Sequence, residues 1–245
     1  MKRIIAIGGG EINELETLEI DKEIVRLSNI NKPRILFIPT ASRDADGYID
    51  SFNSLFKEKL GCETDSLLLI KNRISEDEIR ERIISSDIIY VGGGNTKMMM
   101  DIWKKNKVDK YLREAYDKGI VLCGMSAGSI CWFEAGQSDT EKYEAGNLDN
   151  FITVEGLGII KAFHVPHYNE NNRDIDMDNR IKNYSGIGIA IDNNCAIEIT
   201  EKKYRILKSD KNAKAYKVFF LDEKVHKEEL LSDKKYHNLE ELFSF

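Results

Sequence analysis

Five short apolar runs, separated by longer amphipathic segments, organise the first half of the chain: residues 3–7 (RIIAI), 34–38 (RILFI), 66–70, 87–91 (DIIYV) and 120–123. Strands that are apolar along their whole length have no face to give to water. They belong to parallel sheets covered on both sides by helices. The intervening segments supply those helices, at 16–28, 48–60, 75–84, 97–104 and 108–117. Ser75 followed by Glu78 is a capping-box signature for the third of them. The expected fold is therefore α/β, a doubly wound and mostly parallel sheet flanked by helices. Three of the strands run into glycine clusters: Gly8 to Gly10, Gly92 to Gly94, and Gly124 with Gly128. Ligands of such sheets bind beyond the carboxyl ends of the strands, so these turns mark the expected site.

From about residue 134 the pattern changes. Segments 156–160, 186–191, 196–200, 204–207 and 215–221 are short and often alternating, which predicts extra, partly antiparallel strands added to the sheet. No repeat, low-complexity stretch or linker interrupts the 245 residues, so a single α/β domain over residues 1–245 is expected. A net charge of −6 argues against nucleic acid as a partner. The four cysteines (Cys62, Cys123, Cys131, Cys195) form no C-x-x-C pair and no zinc spacing. Residues 4–7 are too few for a signal-peptide core, and no apolar run approaches the length of a membrane span. The expectation is a reduced, cytoplasmic protein, a monomer or homodimer, with no membrane association.

Gly124-Met125-Ser126-Ala127-Gly128 is a G-x-S-x-G turn between a predicted strand (120–123) and a predicted helix (129–133). By itself the pattern is a modest signal, since a tight turn whose Ser caps a helix would look the same. The strand–turn–helix setting is what a nucleophile elbow requires: a sharp turn exposes the Ser126 hydroxyl above a helix N-terminus that favours developing negative charge. A serine hydroxyl needs a base beside it. Of the four histidines, His226 and His237 fall in a charged C-terminal segment, whereas His164 and His167 flank Pro166 on a loop after an apolar stretch. Either of these two could act as base. A carboxylate would orient it, and Asp139, Glu134, Glu141 and Glu144 all follow the elbow closely enough. Oxyanion donors are expected at the Ala127 N–H and at Gly93 or Gly94. Both nucleotide-binding glycine fingerprints fail, as do a zinc reading of His164-x-x-His167 and an EF-hand reading of Asp174, Asp176 and Asp178. No metal and no cofactor are expected.

Taken together, Gly92-Gly93-Gly94-Asn95-Thr96, the Gly-Met-Ser-Ala-Gly-Ser elbow and Val165-Pro166-His167-Tyr168-Asn169 resemble the peptidase E family, the aspartyl dipeptidases and cyanophycinase-like serine peptidases. The resemblance runs from the first strand to about residue 200. It implies a class I glutamine-amidotransferase-like fold and a short peptide substrate with a free N-terminus. It also implies Ser126 as nucleophile, His167 as base in preference to His164, and oxyanion and substrate contacts at Gly93, Gly94 and Asn95. The acid falls first on Asp139 and second on Glu134. In one respect the chain departs from the family: Met177 stands where an Arg that recognises an N-terminal aspartate is expected, and Arg173 is the nearby substitute. The rival readings are an amidase or glutaminase, which would need Cys at the elbow tip, and a non-catalytic binding protein on the same fold.

Overall fold

The structure, a computed structural model, describes residues 1–140, 151–170 and 172–245. Strands β1 (Arg3–Ile7), β2 (Arg34–Ile38), β3 (Glu63–Ser66), β4 (Ile88–Val91) and β5 (Val121–Met125) pair in parallel in the order β1-β5-β4-β2-β3. Their alternate residues enter two different cores, which is why the runs are apolar throughout. Ile5, Ile7, Phe37 and Tyr90 pack with helices α1 (Leu18–Leu27) and α2 (Asp46–Asn53). Ile4, Ala6, Leu36 and Val91 pack on the other side with α3 (Glu76–Ile84), α4 (Thr96–Lys105) and α5 (Val108–Asp117). The Ser75 cap of α3 is present, its side chain accepting from the Glu78 N–H.

Three sequence expectations shift. The third strand is Glu63–Ser66 and not 66–70. It is an edge strand that pairs only with β2, so it needs no apolar run on both faces; Leu67 is buried just past its end. The helix expected at 129–133 is the single turn α6 (Ala127–Ile130), and by Phe133 the chain has entered β6 (Phe133–Ser138). The strand expected at 156–160 resolves into the turn between β7 (Ile152–Glu155) and β8 (Ile160–Pro166).

The later strands split into two groups. β10 (Cys195–Thr200), β11 (Lys203–Lys208) and β14 (His237–Asn238) extend the first sheet antiparallel from β1, as expected, to eight strands among the described residues. The rest form a second, six-stranded sheet in which β6, β8 and β9 (Gly188–Ile191) run parallel. β7 flanks it on one side, and β12 (Ala215–Leu221) with β13 (Lys224–Glu229) on the other. Ala162, Ile189 and Phe219 of this sheet share a core with Ile4 and Val91 of the first, so the two sheets and the helices between them bury a common interior. No helix among the described residues is long and apolar enough to cross a membrane.

Candidate active site

β5 runs through Gly124 and Met125 directly into Ser126, whose N–H donates to the Ile7 carbonyl of the neighbouring strand at 3.1 Å. Ser126 is held at φ 57°, ψ −118°, a conformation that L-residues rarely adopt. The turn imposes it. The Ser126 carbonyl already receives the Ser129 and Ile130 N–H groups of α6 (2.9 and 3.1 Å), so strand and helix are fixed on either side of one residue. A Cβ on Gly124 would lie 2.2 Å from the Gly128 carbonyl oxygen, and one on Gly128 would lie 2.1 Å from that of Val91. The two glycines of the motif are therefore required by the close packing of the turn against β4.

His167 follows β8 immediately. Its Nε2 stands 2.6 Å from Ser126 Oγ, and its Nδ1 stands 2.8 Å from Asn193 Oδ1. Asn193 lies in residues 192–194, the crossover by which the chain leaves β9 in the second sheet and enters β10 in the first. The Asn193 amide is oriented in turn by Glu170, whose Oε1 accepts from Nδ2 at 3.0 Å. A carboxylate only accepts, so Nδ2 must face Glu170 and Oδ1 must face the ring. Oδ1 can only accept from Nδ1–H. The proton thus sits on Nδ1, and Nε2 is left free to accept from the Ser126 hydroxyl. Gly9 packs against this pair so closely that a Cβ there would lie 2.3 Å from His167 Nδ1 and 2.1 Å from Asn193 Oδ1. Burial, reinforced by the Arg173 cation, holds the His167 pKa below its ordinary value, while Glu170 and the Asn193 hydrogen bond act in the opposite direction.

Ser126 and His167 open onto a cavity of about 570 Å³ whose walls include the loop after β1 (Gly10 to Asn13), Tyr48, Gly93, Gly94, Asp139, Glu170, Arg173 and Asn193. A Cβ built on Gly93 would sit 3.3 Å from that of Ser126. This puts the turn after β4 beside the serine. The Ala127 N–H opens α6 and so has no acceptor within its own helix.

The family model for peptidase family S51 matches residues 4–207 of this chain. The chain belongs to peptidase family S51. Among relatives, the uncharacterized peptidase YgaJ of Bacillus subtilis is 37% identical over 229 residues, covering 92% of this chain and 95% of YgaJ. The uncharacterized peptidase Lmo0363 of Listeria monocytogenes is 29% identical over 149 residues, or 58% of this chain and 69% of that one. Among solved structures, a peptidase from an acI-B1 Actinobacterium superposes with a TM-score of 0.68 at 21% identity, covering 98% of this chain and 97% of that one, a likeness of fold.

Not every residue that the sequence nominated in this S51 peptidase stands where it was expected. Asp139 lines the cavity, but its Oδ2 accepts from Arg173 Nη2 at 3.0 Å, and the group on His167 Nδ1 is Asn193. Glu134 points elsewhere, accepting from the Tyr184 hydroxyl at 2.7 Å, and Glu141 and Glu144 lie outside the described residues. Asn95 is buried and absent from the cavity wall: it is the N-cap of α4, accepting from the Met98 N–H at 2.8 Å. Arg173 does reach the wall, from the start of the helix Arg173–Ile181. Its guanidinium is already held by Asp139 and by Gln137 Oε1 (3.2 Å) and lies over the Phe151 ring. Met177 is fully buried in the core of that helix, so it neither touches the cavity nor leaves a gap in it.

His164 faces away from the serine. Fully buried and stacked on Phe133, it has Nδ1 against the Ile189 carbonyl and Nε2 against Ser129 Oγ, both at 2.8 Å. Burial pushes its pKa down to about 3. Strand alternation separates the two histidines: His164 is inside β8 with its side chain in the interior, while His167 is the first residue past the strand end. Sequence reasoning missed Asn193 and Glu170. The available signal was the position of Asn193 after an apolar strand, 188–191, at the same carboxyl edge as the other site residues.

Proposed function

We propose that this S51 peptidase is a serine peptidase that cleaves short peptides through an acyl-enzyme. The observation that carries the reading is the 2.6 Å contact between Ser126 Oγ and a His167 Nε2 whose free lone pair is fixed by Asn193 and Glu170. Ser126 Oγ attacks the scissile carbonyl carbon as its proton passes to His167 Nε2. The resulting oxyanion sits against the N–H of Ala127 and the Gly93–Gly94 turn. Collapse of the tetrahedral adduct breaks the C–N bond, and His167 returns its proton to the departing amine. Water then repeats the sequence on the ester, delivering its proton through His167 and releasing Ser126. Asn193 takes the place of an orienting carboxylate: it fixes the tautomer and accepts from the imidazolium, with the Glu170 charge one hydrogen bond further out.

A fluorophosphonate probe together with a dipeptide library tests the reading. Wild type should be labelled at a single serine and should release amino acids from short peptides with free N-termini. Ser126→Ala should lose labelling and at least several orders of magnitude in kcat while remaining folded. Labelling or turnover surviving in Ser126→Ala would overturn the assignment. A wild type that neither labels nor hydrolyses would mark a binding protein on the peptidase fold.

A further inference from the structure

Granted the peptidase reading, the cavity wall bears on which peptides enter. Four carboxylates among the described residues line it (Glu11, Glu16, Asp139 and Glu170) against one cation, Arg173. That cation is not available to a substrate. Its side chain is 4% exposed, Nη2 is on Asp139, Nη1 is on Gln137, and Nε lies 3.7 Å from Glu170. To bind a substrate carboxylate, Arg173 would have to leave Asp139, whose side chain is 22% exposed, and the charge-assisted pair gained would only replace the one lost. The carboxylates are less fully used. Asp139 engages Arg173 through Oδ2, and Glu16 accepts the Glu11 N–H at 2.9 Å through one oxygen. The wall therefore keeps acceptors and negative charge beyond what Arg173 neutralises, on Glu11, Glu16 and Glu170 side chains that solvent reaches, so their attraction for a cation acts at short range and is screened by salt.

We propose that the cavity selects a cationic first residue. It takes peptides with a free α-ammonium, prefers Lys or Arg as the first side chain, and disfavours Asp or Glu. This is the reverse of the preference of the aspartyl dipeptidases that the chain resembles: Met177 stands in place of their Arg, the nearby Arg173 is paired internally, and the remaining carboxylates set the preference.

Calorimetric titration of Lys-Leu, Leu-Leu and Asp-Leu into Ser126→Ala at neutral pH reads the preference without requiring turnover. Lys-Leu should bind at least about tenfold more tightly than Asp-Leu, with Leu-Leu between them. The spread should narrow at high salt and in Glu11→Gln/Glu16→Gln on the same background. Asp-Leu binding as tightly as Lys-Leu would overturn the inference. So would a preference untouched by both salt and the double substitution, or binding of none of the three peptides. Hydrolysis of the same peptides by wild type separates the two claims: an intact binding order without turnover would remove the peptidase reading and leave the charge selection standing.

Discussion

Replacing Asn193 by Ala probes the least conventional part of the site. In the mechanism proposed above, His167 becomes an imidazolium on taking the Ser126 proton, and the contact from Nδ1 to Asn193 Oδ1, 2.8 Å in the resting protein, becomes charge-assisted. A hydrogen bond of that kind contributes about 1.5–3 kcal/mol. Its loss in the transition state therefore lowers kcat by about ten- to 150-fold. Glu170 Oε1, already 3.6 Å from Nδ1, can move in as a substitute, which places the expected loss toward the lower end of that range. The pH profile gives an independent reading. His167 must be neutral to act as base, and burial keeps its pKa below 6.5, so the acid limb of kcat/KM should lie below pH 6.5 in wild type. Asn193→Asp paired with Glu170→Gln puts a carboxylate directly on Nδ1. It should raise the His167 pKa and move that limb upward. Asn193→Asp alone is less informative, because the new carboxylate would face Glu170 across about 3 Å and the two would share a proton. Steady-state kinetics across pH on a chromogenic peptide amide, with Tm as a control, carry the test. If a folded Asn193→Ala keeps kcat within about threefold of wild type, the assignment of Asn193 is wrong.

Two further outcomes follow from buried groups. His164→Ala should lower stability by about 3 kcal/mol, since it removes a fully buried ring and leaves the Ile189 carbonyl without its donor; His167→Ala should leave Tm near wild type and abolish turnover, and the opposite pattern in thermal unfolding and kinetics would exchange their roles. Asp21 is fully buried, its Oδ2 accepting from Thr17, and burial pushes its pKa from 3.8 up to about 7. The folded protein therefore holds a proton that the unfolded chain releases near pH 4. Stability from this group is complete below that point and is lost as pH rises toward 7, on the order of 4 kcal/mol in all. Asp21→Asn should flatten the slope of urea-unfolding free energy between about pH 4 and pH 7, and an unchanged slope would show that Asp21 is ionised in the fold.

The sequence by itself determined four of the five parallel strands, most of the helices between them and the elbow turn, because each of these is a local pattern; the edge strand β3 and the short helix α6 were displaced from where the pattern put them. Strands buried on both faces must be apolar throughout, a helix declares its cap within four residues, and a turn as tight as that at Ser126 admits only glycine at Gly124 and Gly128. The residues alone narrowed the base to His164 or His167, and only the family resemblance preferred His167. Four residues of ordinary alternation and one strand end then send the first into the core and the second to the serine, and no pattern shows where a strand stops to that accuracy. The polar side of the site was not legible. Asp139 is near the elbow in the chain and Asn193 is far from it, yet Asn193 meets His167 because residues 192–194 carry the chain from the second sheet back to the first beside Gly9. Neither sheet contains the site alone: Ser126 ends a strand of one, and His167 and Asn193 follow neighbouring strands of the other. Which acid finds which base depends on how the two sheets pack over their shared core. That contact joins residues distant in sequence, and so it leaves no periodicity behind.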